Sequence, residues 1–168
     1  MKRDRGLRAP VEREPNGEIL IGWKEYLDLP DLGIHRLKAK IDTGARTSTL
    51  HVDAVTVVER LASGGEVAEL SLGPDPVDPA RRLTTRAVIL DRVSVTDSGG
   101  HPEERPRIET TLMLGPVRKP ILLTLTDRSE MLFRMILGRT ALAGDFRVDV
   151  ARKYVLRRWH PVQRRGRS

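Results

Sequence analysis

A mainly β architecture is what this sequence predicts, and three observations carry the prediction. Apolar and polar side chains alternate with a period of two along several runs. Turn-forming pairs, Gly64-Gly65, Gly99-Gly100, Gly115-Pro116 and Lys119-Pro120, punctuate those runs. One short stretch near the C-terminus reads as helix, Thr140 to Ala143, behind the strand stop Gly138-Arg139.

Taken in order, residues 18–23 form a first apolar run. From 36 to 41 the alternation is strict: Arg36, Lys38 and Lys40 point one way, and Leu37, Ala39 and Ile41 the other. Ala54, Val57, Val58 and Leu61 have helical spacing behind a candidate Asp53 cap, yet Val55 to Val58 is also good strand sequence, and strand is preferred. Residues 73–82, with three prolines, read as a loop or insertion. The two-residue period returns at Ile108, Thr110, Leu112 and Leu114, and again at Ile121, Leu123 and Leu125. It recurs at Phe146, Val148 and Val150, interleaved with Arg147 and Asp149. Met135 to Leu137 is an apolar strand that stops at Gly138. The runs are expected to be short strands between turns.

Composition narrows the function classes. The chain has 168 residues, the size of one ordinary domain, and 39% of them are apolar, enough for one core. Aromatics at 4% argue against a stacking platform for single-stranded nucleic acid. The absence of cysteine excludes disulfides, thiolate metal sites and cysteine nucleophiles. No apolar run has membrane-helix length, and the start MKRDRGLRAP lacks an apolar leader core, so a cytoplasmic protein without membrane contact is the expectation.

The net charge of +7 is unevenly spread. Residues 1–14 hold five basic and three acidic side chains, residues 152–168 seven and none, and the remainder 18 and 20. Expected boundaries are a basic N-terminal tail (1–17), a β domain (18–157) and a basic C-terminal tail (158–168). Arg157, Arg158, Arg164, Arg165 and Arg167 can touch phosphates, which gives weak, non-specific nucleic-acid contact as a secondary expectation.

The stretch with chemical content is Ile41-Asp42-Thr43-Gly44-Ala45. An apolar strand running into Asp-Thr-Gly-Ala delivers a carboxylate on a tight turn at the edge of a core. Glycine permits close backbone approach. The Thr43 hydroxyl can bond nearby backbone or a partner threonine, and Ala45 is small enough to leave the carboxylate's open side free. Fixed geometry and an exposed oxygen are what a general acid/base aspartate needs. Lys40 and Arg46 bracket Asp42 in sequence, a charge pattern that favours an acidic peptide, with Arg46 equally suited to a structural bond. Asp97-Ser98-Gly99-Gly100 has a related form, but its glycine pair behind an acid is good hairpin-turn chemistry.

Asp42-Thr43-Gly44-Ala45 together with Ile136-Leu137-Gly138-Arg139 resembles the paired signature of retropepsin-like aspartic proteases. The likeness is closest to a bacterial branch labelled "ATP-dependent zinc protease" and associated with the ligase that adds glutamates to a ribosomal protein. The shared blocks are Ile21 to Glu25, Leu29 to Gly33, Ala39 to Ser48, Leu50-His51, Arg105-Pro106, Leu123 to Arg128 and Met135 to Arg139, so the likeness spans about residues 18–157. The resemblance implies a closed retropepsin-like β-barrel with one short C-terminal helix and a flap-like hairpin near residues 84–100. It also implies catalysis by Asp42, Thr43 and Gly44, with Ala45, Gly138 and Arg139 in support. Lys40 and Arg46 would then touch the substrate. A second Asp42 would come from a symmetry-related copy, the two carboxylates sharing one proton around a water.

The residues themselves offer neither cofactor of that label. The four histidines are scattered without a His-Glu-x-x-His, and no Gly-x-x-x-x-Gly-Lys-Ser/Thr is present. His51 with Asp53 makes at most a two-point metal site, and a hydrogen bond between them is the simpler expectation. The functional expectation is therefore an aspartic-type endopeptidase working as a homodimer without cofactor, biased towards acidic or glutamylated peptides. A non-catalytic peptide-binding module on the same fold is the alternative, and a ribosome- or nucleic-acid-associated protein acting through its ends is a third.

Overall fold

The computed structural model describes residues 11–73, 80, 82–96, 99–127 and 132–156. The chain runs through β1 (Ile19–Gly22), β2 (Lys24–Leu29), a 3-10 turn (Pro30–Leu32), β3 (Ile34–Ile41), β4 (Ser48–His51) and β5 (Ala54–Arg60). It continues through β6 (Glu66–Leu72), β7 (Leu83–Thr96), β8 (Pro102–Leu114), β9 (Val117–Thr126), β10 (Met135–Leu137), α1 (Arg139–Leu142) and β11 (Phe146–Asp149). No described helix is long and apolar enough to cross a membrane.

Strands β2, β3, β10, β4, β9 and β8 lie side by side in that order, and Asp28 of β2 pairs with Met113 of β8, closing a six-stranded barrel. The expected closed β-barrel with one short C-terminal helix is thus found. Alternation fixes which side of each strand faces inward. Leu37, Ala39 and Ile41 of β3 are buried while Lys38 and Lys40 are exposed, and Leu50, Ile108, Leu123, Leu125, Met135 and Leu137 complete the interior.

Beyond β8 the sheet continues as an open wing of β7, β6 and β5. Residues 54–60 are the strand preferred from sequence. A register shift between Val57 and Glu59 leaves both Val57 and Val58 exposed, and that bulge is what imitated helical spacing. Strands β7 and β8, of 14 and 13 residues, are far longer than the short strands expected, and they form the hairpin that contains the residues expected as a flap. Gly100, with φ of +82°, makes its turn. Asp97 lies outside the described residues, as does most of the proline-rich 73–82 stretch. Lys119-Pro120 does not punctuate: Pro120 sits inside β9, opposite Thr111, just before β4 takes up the other edge at Leu123. A proline there forfeits no ladder bond. Val150 falls outside β11 and is exposed.

Two devices fasten the barrel. Glu25 alternates with Leu27 and Leu29 on the buried face of β2, and its carboxylate accepts the N–H groups of Gly22 (2.9 Å), Val155 (2.8 Å) and Leu156 (3.3 Å). The C-terminal segment therefore crosses β1 closely enough that a Cβ on Gly22 would lie 2.4 Å from the Arg152 carbonyl oxygen. At the barrel seam, Asp31 accepts hydrogen bonds from the Thr111 hydroxyl (2.6 Å) and N–H (3.0 Å). The hydroxyl bond first, then the N–H bond, hold the Asp31 carboxyl below its ordinary range. A folded-state value below the unfolded one contributes stability above about pH 4, lost as pH falls through the folded value. Asp31→Asn is thus expected to lower the urea midpoint near pH 7 and to converge with the wild type near pH 2; parallel curves at both would disprove the link.

Candidate active site

The site grows from the end of β3. Strand β10 runs parallel to β3 with Leu137 opposite Ile41, and the Asp42 N–H donates to the Leu137 carbonyl at 2.9 Å. This bond fixes the backbone of residue 42 beside the Gly138 step. The chain then turns, and the N–H groups of Gly44 (3.0 Å) and Ala45 (3.2 Å) both donate to Asp42 Oδ1. Asp42 is half-buried, whereas Thr43 and Gly44 are exposed. Among the described residues no donor reaches Oδ2. One carboxylate oxygen is anchored by two backbone N–H groups and the other accepts no bond among the described residues.

The Thr43 hydroxyl makes no hydrogen bond among the described residues, so within one chain it is the backbone amides that steady the carboxylate. The loop is braced from the far side. Arg139 Nη1 donates to the carbonyls of Thr43 and Gly44, both at 3.0 Å, while its own N–H donates to Ala45 O at 2.8 Å. Thr140 donates through its N–H and its hydroxyl to Arg46 O. Gly138 N–H donates to Ser48 Oγ at 3.0 Å, in a buried position. Asp42, Thr43, Gly44, Ala45, Gly138 and Arg139, distant in sequence, are therefore one hydrogen-bonded unit. Arg46 is exposed, and its guanidinium has no partner among the described residues.

Strand register extends the site sideways. Residues paired directly across strands share a face. Lys24 pairs with Lys40, Lys40 with Ile136, Ile136 with Thr49, Thr49 with Thr124, and Thr124 with Arg107. This row lies on the barrel's outer side, away from Leu37, Ala39 and Ile41, and Asp42 leaves β3 two residues beyond Lys40 on that same side. The hydroxyls of Thr49 and Thr124 bond each other at 2.9 Å, both buried. Lys24, Glu25, Ser48 and Thr124 lie inside the shared blocks but were given no role there, and Thr49 lies outside them. A charged residue on the apolar stripe of β2 is the signal that points to Glu25.

His51 and Asp53 do meet, with Nε2 and Oδ1 3.2 Å apart, but Asp53 also carries Arg82 at 3.5 Å on its other oxygen. Among the described residues no group of three His, Asp or Glu side chains could hold a metal ion. Arg82 thus competes with any cation for the Asp53 carboxylate.

Known proteins resemble the chain in both sequence and shape. It is 36% identical over 134 residues to a protein named probable alpha-L-glutamate ligase from Parasynechococcus marenigrum, covering 79% of this chain and 28% of that one. It is 31% identical over 150 residues to a protein of the same name from Shewanella halifaxensis, covering 88% and 32%. The chain thus spans under a third of the length of these curated relatives. A crystal structure of a Legionella pneumophila protein of unknown function matches with a TM-score of 0.67 at 24% identity, covering 80% of this chain and 95% of that one, which shows a shared fold. The family model described as retropepsin-like aspartic endopeptidase RimB matches residues 20–158, the span that holds both the Asp42 turn and its Gly138-Arg139 brace, and the chain belongs to this RimB-like family.

Proposed function

We propose that this chain is an aspartic-type endopeptidase whose active unit is a homodimer, with one Asp42 from each copy. The observation that carries the reading is the Asp42 carboxylate itself, fixed at Oδ1 by two backbone N–H groups and without a donor at Oδ2 among the described residues. Among the described residues one chain supplies one such aspartate on a braced turn, and a two-fold axis beside the exposed Thr43-Gly44 edge brings in the second. The pair holds one proton and a water between them. The ionised member takes a proton from the water as it attacks the peptide carbonyl carbon, and the protonated member donates to the carbonyl oxygen. Collapse of the tetrahedral intermediate then passes a proton to the departing amine.

The substrate reading is an acidic, glutamate-rich peptide met in the cytoplasm. Lys40 and Arg46 flank the turn as cations without acidic partners among the described residues, and relatives containing a segment like this chain are named as glutamate ligases. Cleavage of a glutamate-rich peptide, followed across a wide range of protein concentration, tests the whole proposal. The rate per chain is expected to rise with concentration and level off as dimers fill. The glutamate peptide should be cut about tenfold faster than its glutamine counterpart at low salt, with the gap closing at high salt. A rate per chain independent of concentration overturns the shared site. Binding without any cleavage returns the chain to a peptide-binding module.

A further inference from the structure

Four of the six aromatic side chains in this sequence gather at one place. The Lys24 ammonium lies 4.7 Å from the Trp23 ring centroid, 5.2 Å from that of Tyr154 and 5.9 Å from that of Phe133. Trp23 and Phe133 meet edge to face, and Tyr154 stacks on Tyr26 at 4.7 Å. An ammonium on ring faces is steadied by their quadrupoles while its N–H donors stay uncommitted. Lys24 also stands directly opposite Lys40 across β2 and β3, and neither lysine makes an ion pair among the described residues. Like charges facing each other across an antiparallel pair cost stability. An anion arriving between them relieves that repulsion.

We propose that Lys24 and Lys40 form a carboxylate-binding subsite beside the Asp42 turn, with Lys24 held in place by Trp23, Tyr154 and Phe133. The ligand group is a carboxylate of an acidic peptide, either a glutamate side chain or a terminal carboxylate. This deepens the substrate reading above and rests on it. Its geometry suits selection, because the subsite lies on the barrel face that carries Asp42 yet shares none of the bonds that hold the turn. Lys24 binds substrate here and takes no part in bond breaking.

The test is fluorescence anisotropy of a dye-labelled hexaglutamate peptide against the full chain carrying Asp42→Asn, so that binding is read without turnover. Adding Lys24→Met, which keeps the aliphatic stem, is expected to weaken binding about tenfold, as Lys40→Met should. Lys24→Arg keeps both the charge and the ring stacking and should retain affinity within about threefold. Hexaglutamine should not bind. Binding that survives amidation of the peptide's C-terminus assigns the side-chain carboxylate, and binding lost on amidation assigns the terminal one; both support the subsite. Unchanged affinity in Lys24→Met, equal weakening by Met and Arg, or equal binding of hexaglutamine overturns it. Those results would stand whether or not the wild type cleaves peptides, and cleavage that fails while the Lys24 effect holds would sink the peptidase reading alone.

Discussion

Asp42→Asn is expected to remove peptide hydrolysis, by on the order of 10⁴-fold in kcat/KM, while leaving the fold and its urea midpoint intact. The argument is local. Asparagine has the shape of aspartate, and its Oδ1 can still accept the N–H groups of Gly44 and Ala45 at 3.0 and 3.2 Å. The turn therefore keeps its bonds. What changes is the open position, where an amide NH2 replaces the oxygen that would take a proton from water. In the proposed dimer both copies change at once, so no intact carboxylate remains. Mixing the variant with wild type sharpens the test, because mixed dimers carry a single carboxylate. Activity should then fall faster than the wild-type fraction, roughly as its square. Full activity in the pure variant would remove Asp42 from the chemistry. A linear fall on mixing, with an inactive pure variant, would place both carboxylates in one chain.

The barrel was readable wherever one face of a strand is wet and the other is core. Arg36 to Ile41 betrays its faces because lysine and arginine alternate with apolar residues, whereas Ile121 to Leu125 is blurred by an apolar but exposed Leu122 and a polar but buried Thr124. Strand β4 hid itself for the opposite reason: Ser48, Thr49, Leu50 and His51 are all buried, so no alternation survives in the sequence. Bulges blur the pattern as well, as Val57 and Val58 show. Among site residues, Asp42, Gly44, Gly138 and Arg139 were legible because the chemistry and the close packing restrict residue type at each. Lys24 was not. Its significance lies in the rings around it and in the lysine across the ladder, and these come from four separate segments. Glu25 showed only as a charge on an apolar stripe, and its role stayed hidden, since three of its donors sit on Gly22, Val155 and Leu156, and only the fold brings the last two to β2.

Gly138→Ala should damage the protein more than any other single methyl addition near the site. The backbone of Gly138 is ordinary extended chain, with φ of −91° and ψ of 175°, so strain in φ is not the reason. Space is. A Cβ there would meet Thr47 O at 2.5 Å, Thr47 C at 2.6 Å and Ala45 O at 3.0 Å, all backbone atoms of the loop that carries the Asp42 turn. No rotamer change relieves a clash with backbone, so β10 and residues 45–47 must separate by roughly an ångström. That motion stretches the bonds from Gly138 N–H to Ser48 Oγ, from Arg139 N–H to Ala45 O, and from Thr140 N–H to Arg46 O. The expected cost is about 3 kcal/mol, seen as a Tm lower by roughly 10 °C. Catalysis should fall further than stability does, because the same separation moves Arg139 off the Thr43 and Gly44 carbonyls and frees the carboxylate from its fixed position. Measured well below the lowered Tm, kcat should drop by at least about 100-fold with the chain still folded. Ser48→Ala separates the two effects: it deletes the acceptor for Gly138 N–H without adding volume, and should cost stability of about 1–3 kcal/mol with a smaller loss of rate. If Gly138→Ala matches the wild type in both Tm and rate, the loop is not wedged against β10 and the brace on Asp42 is held by other bonds.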